Sequence, residues 1–293
     1  MDINKYKVFL QAVDAGSFSR VADALGYTPS GIVHMMNTLE SEMGFPLLIR
    51  SRKGVRPTPD GERIVPVLRE LVRWEEQLNQ VTSDICGIAT GTIHIGTYYS
   101  IAVNWLPEVI KAFERDFPNV HIMILEGVHQ QLDEWLDEHR VDFCLYSHQP
   151  GSSHEWIPLR RDRMVAVLPK NHPRAGDSVF PIDLCRSERF IMPAAGYDYD
   201  IMRVMDKHQI TPNVRYSTGE DNAAISMIQN GLGVGVLNEL TTVGRENDVV
   251  LLPLEPHEDI ELGIALPSLK KAPPAVQRFI AYLRDYLAER GDK

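Results

Sequence analysis

Residues 2–40 carry hydrophobic side chains at helical spacing, in three short segments that polar and glycine positions separate. The second segment has Ser17 in position to cap its first turn, and Gly26 ends it. The third begins at Thr28, and Pro29 follows at the first helical position, where a missing N–H costs nothing. The pattern predicts three helices, the last two joined by a turn, and this shape is suited to entering a DNA groove.

The outward face of the third segment is poor in charge and rich in small or hydrogen-bonding side chains. Ile32, Met36 and Leu39 are spaced to face the core, which leaves the polar positions exposed. Small residues let a helix approach base edges closely, while hydroxyl, amide and imidazole groups form hydrogen bonds with groove atoms. A helical bundle that binds nothing is the alternative. The candidate DNA contacts in the helical segments are Ser17, Thr28, Pro29, Ser30, Gly31, His34 and Asn37.

Residues 44–58 are predicted to form a short hairpin, because two apolar runs flank a basic turn that contains a glycine. Arg50, Arg52 and Lys53 cluster at this turn. On a wing beside the third helix they would contact DNA phosphates. A solvated basic turn is the alternative.

A cap at Thr58 begins a long helix that we expect to run to about residue 85. Its apolar residues alternate at spacings of three and four, which is the seam of a coiled coil. So narrow a seam needs a partner helix, whereas a helix buried in its own chain usually shows a wider stripe. Ile85 continues the seam, and the expected dimerisation positions are Ile64, Val67, Leu71, Trp74, Leu78 and Val81.

From residue 91 onward, apolar strands alternate with amphipathic helices. The alternation predicts an α/β region with a mostly parallel sheet and helices on both faces. Segments 164–168 and 262–266 are expected to cross between a first and a second α/β unit, and a helix over 276–287 is expected to close the chain.

The N-terminal pattern resembles the winged helix-turn-helix of LysR-type transcriptional regulators, with the family's spacing kept over about 60 residues. The segment Pro29–His34 departs from the family's common Gln-Pro-Ala-Val-Ser-Arg run, so the operator sequence cannot be transferred from the family. The positions that carry the resemblance are Phe9, Ala12, Val13, Gly16, Ser17, Phe18, Ser19, Ala22, Leu25, Leu39, Glu40, Gly44, Leu47, Arg50, Thr58 and Gly61.

The two α/β units resemble the effector domain of the same family, which is built like the type 2 periplasmic binding proteins. The resemblance covers nearly the whole chain and implies a multi-domain fold: an N-terminal all-α winged helix-turn-helix, a long linker helix, and a C-terminal α/β effector domain of two Rossmann-like lobes. The expected domains are 1–58 for DNA binding, 59–86 for linkage and dimerisation, and 91–293 for effector binding. Lobe I would comprise 91–163 and 268–293, and lobe II 169–261.

Ligands of open parallel sheets bind beyond the carboxyl ends of the strands, so the candidate effector residues come from strand ends. Thr97 and Ser100 offer hydroxyls beside a helix start that can receive an anion. Tyr98 and Tyr99 suit a flat ligand or serve as packing between lobes. Acids at 220 and 221 either cap a helix or contact a cationic part of the ligand. The candidates are Thr97, Tyr98, Tyr99, Ser100, Gly127, Ser147, Tyr197, Thr218, Glu220 and Asp221.

Motifs for other functions are missing from the sequence. It contains no GxSxG, HExxH, P-loop or CxxC motif, and its histidines lack metal-ligand spacing, so we expect no enzyme, cofactor or metal. Gly231–Gly235 lacks the GxGxxG spacing of a nucleotide site. The three cysteines are expected to be reduced and mostly buried. A solute-binding protein is the alternative for the C-terminal region, but the N-terminus lacks the apolar stretch of a signal peptide.

Charge is distributed unevenly along the chain. The net charge is −10, yet residues 1–60 carry +1 and the remainder −11, which is compatible with a protein that contacts DNA at one end only. We therefore expect a cytoplasmic, sequence-specific, DNA-binding transcriptional regulator controlled by a small-molecule effector bound between the C-terminal lobes. The expected partners are double-stranded DNA with a roughly palindromic operator, the effector, and further copies of the chain in a dimer or a dimer of dimers. RNA polymerase is a further candidate, and no membrane is expected.

Overall fold

The computed structural model describes residues 2–51, 54–85 and 89–290 of the 293-residue chain. The chain divides into two compact units. One contains Met1–Gly91 with Asp137–Arg140, and the other contains Thr92–Leu136 and Val141–Lys293. The domain boundaries expected from the sequence stay predictions. Within the described residues, no helix is long and apolar enough to cross a membrane.

The N-terminal unit has the predicted helices, hairpin and linker. Its elements are α1 (Ile3–Ala15), α2 (Phe18–Leu25), α3 (Pro29–Met43), β1 (Leu48–Ser51), β2 (Gly54–Pro57) and α4 (Pro59–Ile85). Each of α1, α2 and α3 ends at a glycine in the left-handed region, where a side chain would be strained. The caps at Ser17, Thr28 and Thr58 are confirmed, since their hydroxyls accept hydrogen bonds from the first turns of α2, α3 and α4.

The second unit contains both lobes. Lobe I is built from β3 (Gly91–Thr97), α5 (Tyr99–Asn104), α6 (Leu106–Asp116), β4 (Val120–Glu126), α7 (His129–Asp137) and β5 (Phe143–Ser147). The strand β6 (Glu155–Leu168) crosses to lobe II, which contains β7 (Phe180–Pro181), β8 (Phe190–Met192), α8 (Tyr199–Lys207), β9 (Val214–Ser217), α9 (Asp221–Gln229), β10 (Gly235–Asn238) and β11 (Val250–Glu255). The strand β12 (Asp259–Leu266) crosses back, and α10 (Pro274–Arg290) packs against α6.

The expectation of a mostly parallel sheet is wrong for the centre of this unit. The strand order is β4-β3-β5-β12-β6-β11-β7, with β10 also paired to β6. Parallel pairs include β3 with β5, β11 with β7, and β8 with β9, whereas β12 and β6 are antiparallel to their neighbours. The reason is that the two crossing strands traverse the unit in opposite directions, so each runs against the strands beside it.

The chain after β3 forms two helices, α5 and α6, rather than one continuous helix. Trp105 separates them with φ −111° and ψ −50°. Pro107 lies at the second position of α6, and its missing N–H cannot donate to the preceding turn. The break keeps α5 short, directly after the strand end that carries the candidate effector residues.

Candidate functional site

The first turn of α3 presents the predicted recognition surface. Thr28 Oγ1 accepts a hydrogen bond from the Gly31 N–H at 3.1 Å and lies 3.2 Å from Ser30 Oγ. Ile32, Met36 and Leu39 are fully buried on the opposite face, as the spacing predicted. The exposed side chains along the outer face are Thr28, Pro29, Ser30, His34 and Asn37, while Gly31 is half-buried. This outer face combines small groups near the helix start with two hydrogen-bonding side chains further on.

The β1–β2 wing packs against the turn between α1 and α2. The Val55 N–H donates to the carbonyl oxygen of Gly16 at 2.9 Å. A Cβ atom at Gly54 would lie only 2.5 Å from the same oxygen, so this close approach requires glycine. Arg52 and Lys53 lie outside the described residues. The wing is therefore held beside the helix-turn-helix by backbone contacts.

Arg50 has a structural partner. Its guanidinium lies 2.9 Å from Glu40 Oε2 and 5.5 Å from the centre of the Phe18 ring. The other Glu40 oxygen accepts the backbone N–H groups of Leu47 and Leu48 at 2.8 and 3.0 Å. Arg50 thus ties β1 to α3, and its predicted phosphate contact would be an additional role. Ser17 is likewise used within the fold, since it caps α2.

Two faces of α4 differ in chemistry. Val65, Leu68 and Arg69 are buried, and the Arg69 guanidinium lies 3.1 and 2.5 Å from the two Asp14 oxygens. The predicted seam is on another face: Ile64 is half-buried against the N-terminal core, and the remaining positions are exposed. These exposed apolar side chains are Val67, Leu71, Trp74, Leu78, Val81 and Ile85.

In the second unit, the predicted strand-end residues of lobe I converge on Tyr98. Its hydroxyl lies 3.2 Å from Ser147 Oγ, at the end of β5. Thr97 and Ser100 are buried beside it, and the Gly127 N–H donates to the Thr97 carbonyl at 3.2 Å. Tyr99 is 40% exposed. The structure thus joins Thr97, Tyr98, Gly127 and Ser147 in one corner of lobe I.

Two further residues complete the corner, and neither was predicted from the sequence. His129 Nδ1 lies 3.0 Å from the Tyr98 hydroxyl, and Asp200 Oδ2 of lobe II accepts from that hydroxyl at 3.3 Å. The Tyr98 hydroxyl therefore joins both lobes through one hydrogen bond. We call Tyr98, His129, Ser147 and Asp200 the interlobe corner.

The Tyr98 hydroxyl has one hydrogen, so it can donate only one of the hydrogen bonds in the interlobe corner. When Tyr98 donates to Asp200, its oxygen can only accept from His129 Nδ1. His129 Nε2 lies 2.6 Å from the side-chain amide oxygen of Gln149, and an imidazolium, which donates from both ring nitrogens, satisfies this arrangement. Burial lowers the pKa of His129, but its hydrogen bonds to Asp133 and Gln149 outweigh burial and raise the pKa overall.

Aromatic rings surround the interlobe corner. The His129 ring stacks on Tyr199 at 4.3 Å between centroids and meets the edge of Tyr146 at 4.7 Å. Tyr98 lies 6.3 Å from Tyr146. Burial, and after it the charge of Asp200, raises the pKa of Tyr98 well above its usual range, so the hydroxyl keeps its proton. In the interlobe corner, uncharged tyrosine rings therefore surround a few charged groups.

The remaining candidates lie in lobe II, and they contribute no hydrogen bond to the interlobe corner among the described residues. Tyr197 is exposed. Thr218 connects β8 to the turn at 194–196, because its N–H donates to Met192 and its carbonyl accepts from Ala195. Glu220 precedes α9 but its side chain does not cap the helix, so the capping alternative is wrong for this residue.

Comparisons with known proteins identify the family. A model described as the LysR substrate binding domain matches residues 87–288, and one described as the bacterial regulatory helix-turn-helix protein, lysR family, matches residues 3–62. The chain belongs to the LysR family. It is 30% identical to the uncharacterized HTH-type transcriptional regulator YvbU of Bacillus subtilis (strain 168), over 97% of this chain and 98% of that protein.

Solved LysR-type structures share the fold. Full-length CbnR complexed with its target DNA covers 98% of this chain and 100% of its own, with 15% identity and a TM-score of 0.66. The effector binding domain of QuiR in complex with shikimate covers 69% of this chain and 99% of its own, with 19% identity and a TM-score of 0.61. The LysR-type chain is thus a DNA-binding transcriptional regulator with an effector-binding domain, and it belongs to a family of regulators rather than of enzymes.

The missed residues of this LysR-type chain share a position in the fold. His129 begins α7 shortly after β4, and Asp200 lies in the first turn of α8, where Asp198 is the cap. Both therefore belong to the helix that follows a strand end, whereas the residues predicted from the sequence lie mostly at the strand ends themselves. Extending each candidate segment by one helical turn would have included them.

Proposed function

We propose that a pair of these chains recognises a roughly palindromic operator with two α3 helices, and that a small-molecule effector bound at the interlobe corner controls that binding. The observation that carries the effector site is the hydrogen bond from Tyr98 of lobe I to Asp200 of lobe II. A ligand shifts an equilibrium between two arrangements only if it binds them with different affinity. A ligand that engages this contact meets that condition, because the contact exists only while the lobes are close.

The DNA surface we propose is the outer face of α3 with the wing beside it. Ser30, His34 and Asn37 are exposed there, and the helix start carries N–H groups that attract phosphate. The solved complex of CbnR with its target DNA, a protein of the same fold, supports this proposal. Arg56, exposed on β2, is available for a phosphate contact alongside the predicted Arg52 and Lys53.

Self-association is proposed through the exposed seam of α4. Leu71, Trp74 and Leu78 lie in the middle of the seam and are exposed in the single chain. Covering such side chains with a second copy removes apolar surface from water, at about 25 cal/mol per Å². Two paired chains bring two α3 helices to DNA, which suits an operator with two half-sites.

The DNA proposal is tested by fluorescence anisotropy on DNA fragments that flank the gene. We expect His34→Ala and Asn37→Ala each to lower affinity for the best fragment by about 1–3 kcal/mol, since each loses a contact with base edges. Ser41→Ala is the matched control, because Ser41 is exposed on the same helix beyond the proposed contacts. For the parent chain, the logarithm of the binding constant should fall linearly with the logarithm of salt concentration. Equal affinity of all four proteins for the fragment would contradict α3 as the recognition helix.

A further inference from the structure

Asp200 has an acceptor oxygen that the protein leaves unused. The residue lies in the first turn of α8 and is only 7% exposed. Its Oδ2 accepts from the Tyr98 hydroxyl, but its Oδ1 is buried and has no hydrogen-bond partner among the described residues. A buried carboxylate oxygen without a donor is costly, so a donor from outside the chain would be bound favourably there.

Neighbouring acids add negative charge around Asp200. Asp198 caps α8, and burial together with the charges of Asp200 and Asp221 raises its pKa to about 7. Burial and the charge of Glu220 raise the pKa of Asp221 to about 6. The starts of α8 and α9 therefore bring several carboxylates together, and their mutual repulsion is relieved by a positive charge.

The cationic side chains near Asp200 compensate little of this negative charge. Burial raises the pKa of Asp200, and a hydrogen bond with Ser147 and the charge of Arg203, one turn along α8, only partly oppose this rise. No ion pair joins Arg203 to Asp200 among the described residues. His129 is already matched in lobe I by Asp133, whose carboxylate lies 3.5 Å from Nε2. Among the described residues, Asp200 therefore has no cationic side chain as an ion-pair partner.

The rings beside Asp200 favour the same kind of ligand. Tyr199 follows Asp198 and stacks on His129, and Tyr98 and Tyr146 lie on the lobe I side. Aromatic faces attract cations through the ring quadrupole, and more strongly where water is excluded. A carboxylate with an unused oxygen beside tyrosine rings is typical of a site for an organic ammonium group.

We propose that the effector carries a positively charged nitrogen, an amine or an amino acid, and that this nitrogen donates a hydrogen bond to Asp200 Oδ1 in the interlobe corner. The inference rests on the proposed effector site and specifies the class of its ligand. An anionic effector without such a nitrogen would place its negative charge beside Asp200, Asp198 and Asp221. It would also donate no hydrogen bond to Oδ1 of Asp200. The charged nitrogen is therefore the group that decides binding.

Thermal unfolding of the full chain tests this class with matched ligands. One series is phenethylamine, phenylalanine and hydrocinnamate, and another is pentylamine, norleucine and hexanoate, each at about 10 mM and near pH 8 so that Asp198 is ionised. The members of a series share a hydrocarbon part and differ in charge. We expect at least one amine or amino acid to raise Tm, and its matched carboxylate without nitrogen to leave Tm unchanged.

Variants of the full chain show where the stabilising ligand binds. Asp200→Asn keeps the shape of the side chain and should weaken binding of the stabilising ligand by at least about tenfold, from the dose dependence of Tm. Asp221→Asn, a change at the edge of the charge cluster, should weaken it less, and remains informative if Asp200→Asn folds poorly. Asp206→Asn is the matched control, since Asp206 is exposed on the same helix.

The possible results separate this inference from the proposed effector site. Stabilisation by a carboxylate without nitrogen, lost in Ser147→Val, would overturn the charged-nitrogen class while leaving the site in place. Stabilisation by an amine that Asp200→Asn and Asp221→Asn both retain would place the ligand elsewhere and overturn the inference. No stabilisation by any amine or amino acid would also overturn it, and no response to any of the ligands counts against the effector site as well.

Discussion

Tyr98 has a structural role in the fold and a proposed role in ligand binding. Its ring packs near Tyr146, and its hydroxyl joins groups from α7, β5 and α8. From the sequence, this tyrosine could either contact a ligand or pack between the lobes. The structure shows the packing role, and the ligand role stays a proposal that depends on Asp200.

Asp198 is expected to make stability depend on pH. Its pKa is raised to about 7, first by burial and then by Asp200, while the hydrogen bond from the Ile201 N–H lowers it. A carboxyl group whose folded pKa exceeds its unfolded value stabilises the fold at low pH, and this contribution is lost as pH rises through about 7. Asp200 and Asp221, whose pKa values are also raised, act in the same direction.

Replacing Asp198 by asparagine should therefore flatten the pH dependence. Asparagine caps a helix about as well as aspartate, so the substitution removes the charge and keeps the cap. We expect Asp198→Asn to increase the free energy of unfolding near pH 8 relative to pH 5 by up to about 3 kcal/mol compared with the parent, since pH 5 lies about two units below the pKa and one unit corresponds to about 1.4 kcal/mol. Urea unfolding at both pH values measures this difference. The same flattening in Asp206→Asn, or none in Asp198→Asn, would contradict the assignment.

Part of the interlobe corner could be predicted from the sequence. Thr97, Tyr98 and Ser147 follow from the rule that ligands bind beyond strand ends. Asp200 could not be found in that way, because it is 102 positions from Tyr98 and its approach depends on how the lobes close. Its unused oxygen is a property of side-chain packing, which hydrophobic periodicity does not report.

Helix α4 has one face packed against its own N-terminal core and another face with exposed apolar side chains. Arg69 and its neighbours hold the helix to α1, while Leu71 and Leu78 remain exposed. Lys7 adds a contact to Glu75 at 2.9 Å, and this hydrogen bond lowers the pKa of Glu75. A change in the seam can therefore be made without touching the contacts that fix the helix to its own chain.

Leu71→Asp combined with Leu78→Asp should produce monomers. Two like charges placed in an apolar helix pair cost more than the buried area contributes at these positions. The measurement is light scattering of the full chain, with circular dichroism to show that the helix content is kept. Asn79→Asp adds a negative charge on the same helix outside the seam and should leave the oligomer intact. An unchanged oligomer in the double variant would contradict pairing through α4.

The elements that the sequence predicted well are those with strong periodicity and clear caps, such as α2, α3 and α4. The antiparallel centre of the sheet was missed for physical reasons. The first half of β6 alternates exposed and partly buried positions and carries several charges, so it lacks the apolar run of a buried strand. The strand β11 contains Pro253, and proline argues against a strand interior.

For the whole molecule, charge and pairing together define how DNA would be approached. Residues 1–60 carry a net charge of +1 and the remainder −11. Phosphates repel the acidic part, so we expect DNA to contact the α3 and wing region only. Two chains paired through α4 would present two such regions, and half-sites in this mode lie about one helical turn, roughly 10 base pairs, or a multiple of it apart.

DNase footprinting on the DNA that flanks the gene tests this central claim most directly. We predict two protected half-sites with related sequences of opposite orientation, both of which lose protection in the Leu71→Asp, Leu78→Asp variant at concentrations where the parent protects them. Protection of a single unrepeated site that this variant retains, or no protection at low salt, would contradict the account of a paired DNA-binding regulator.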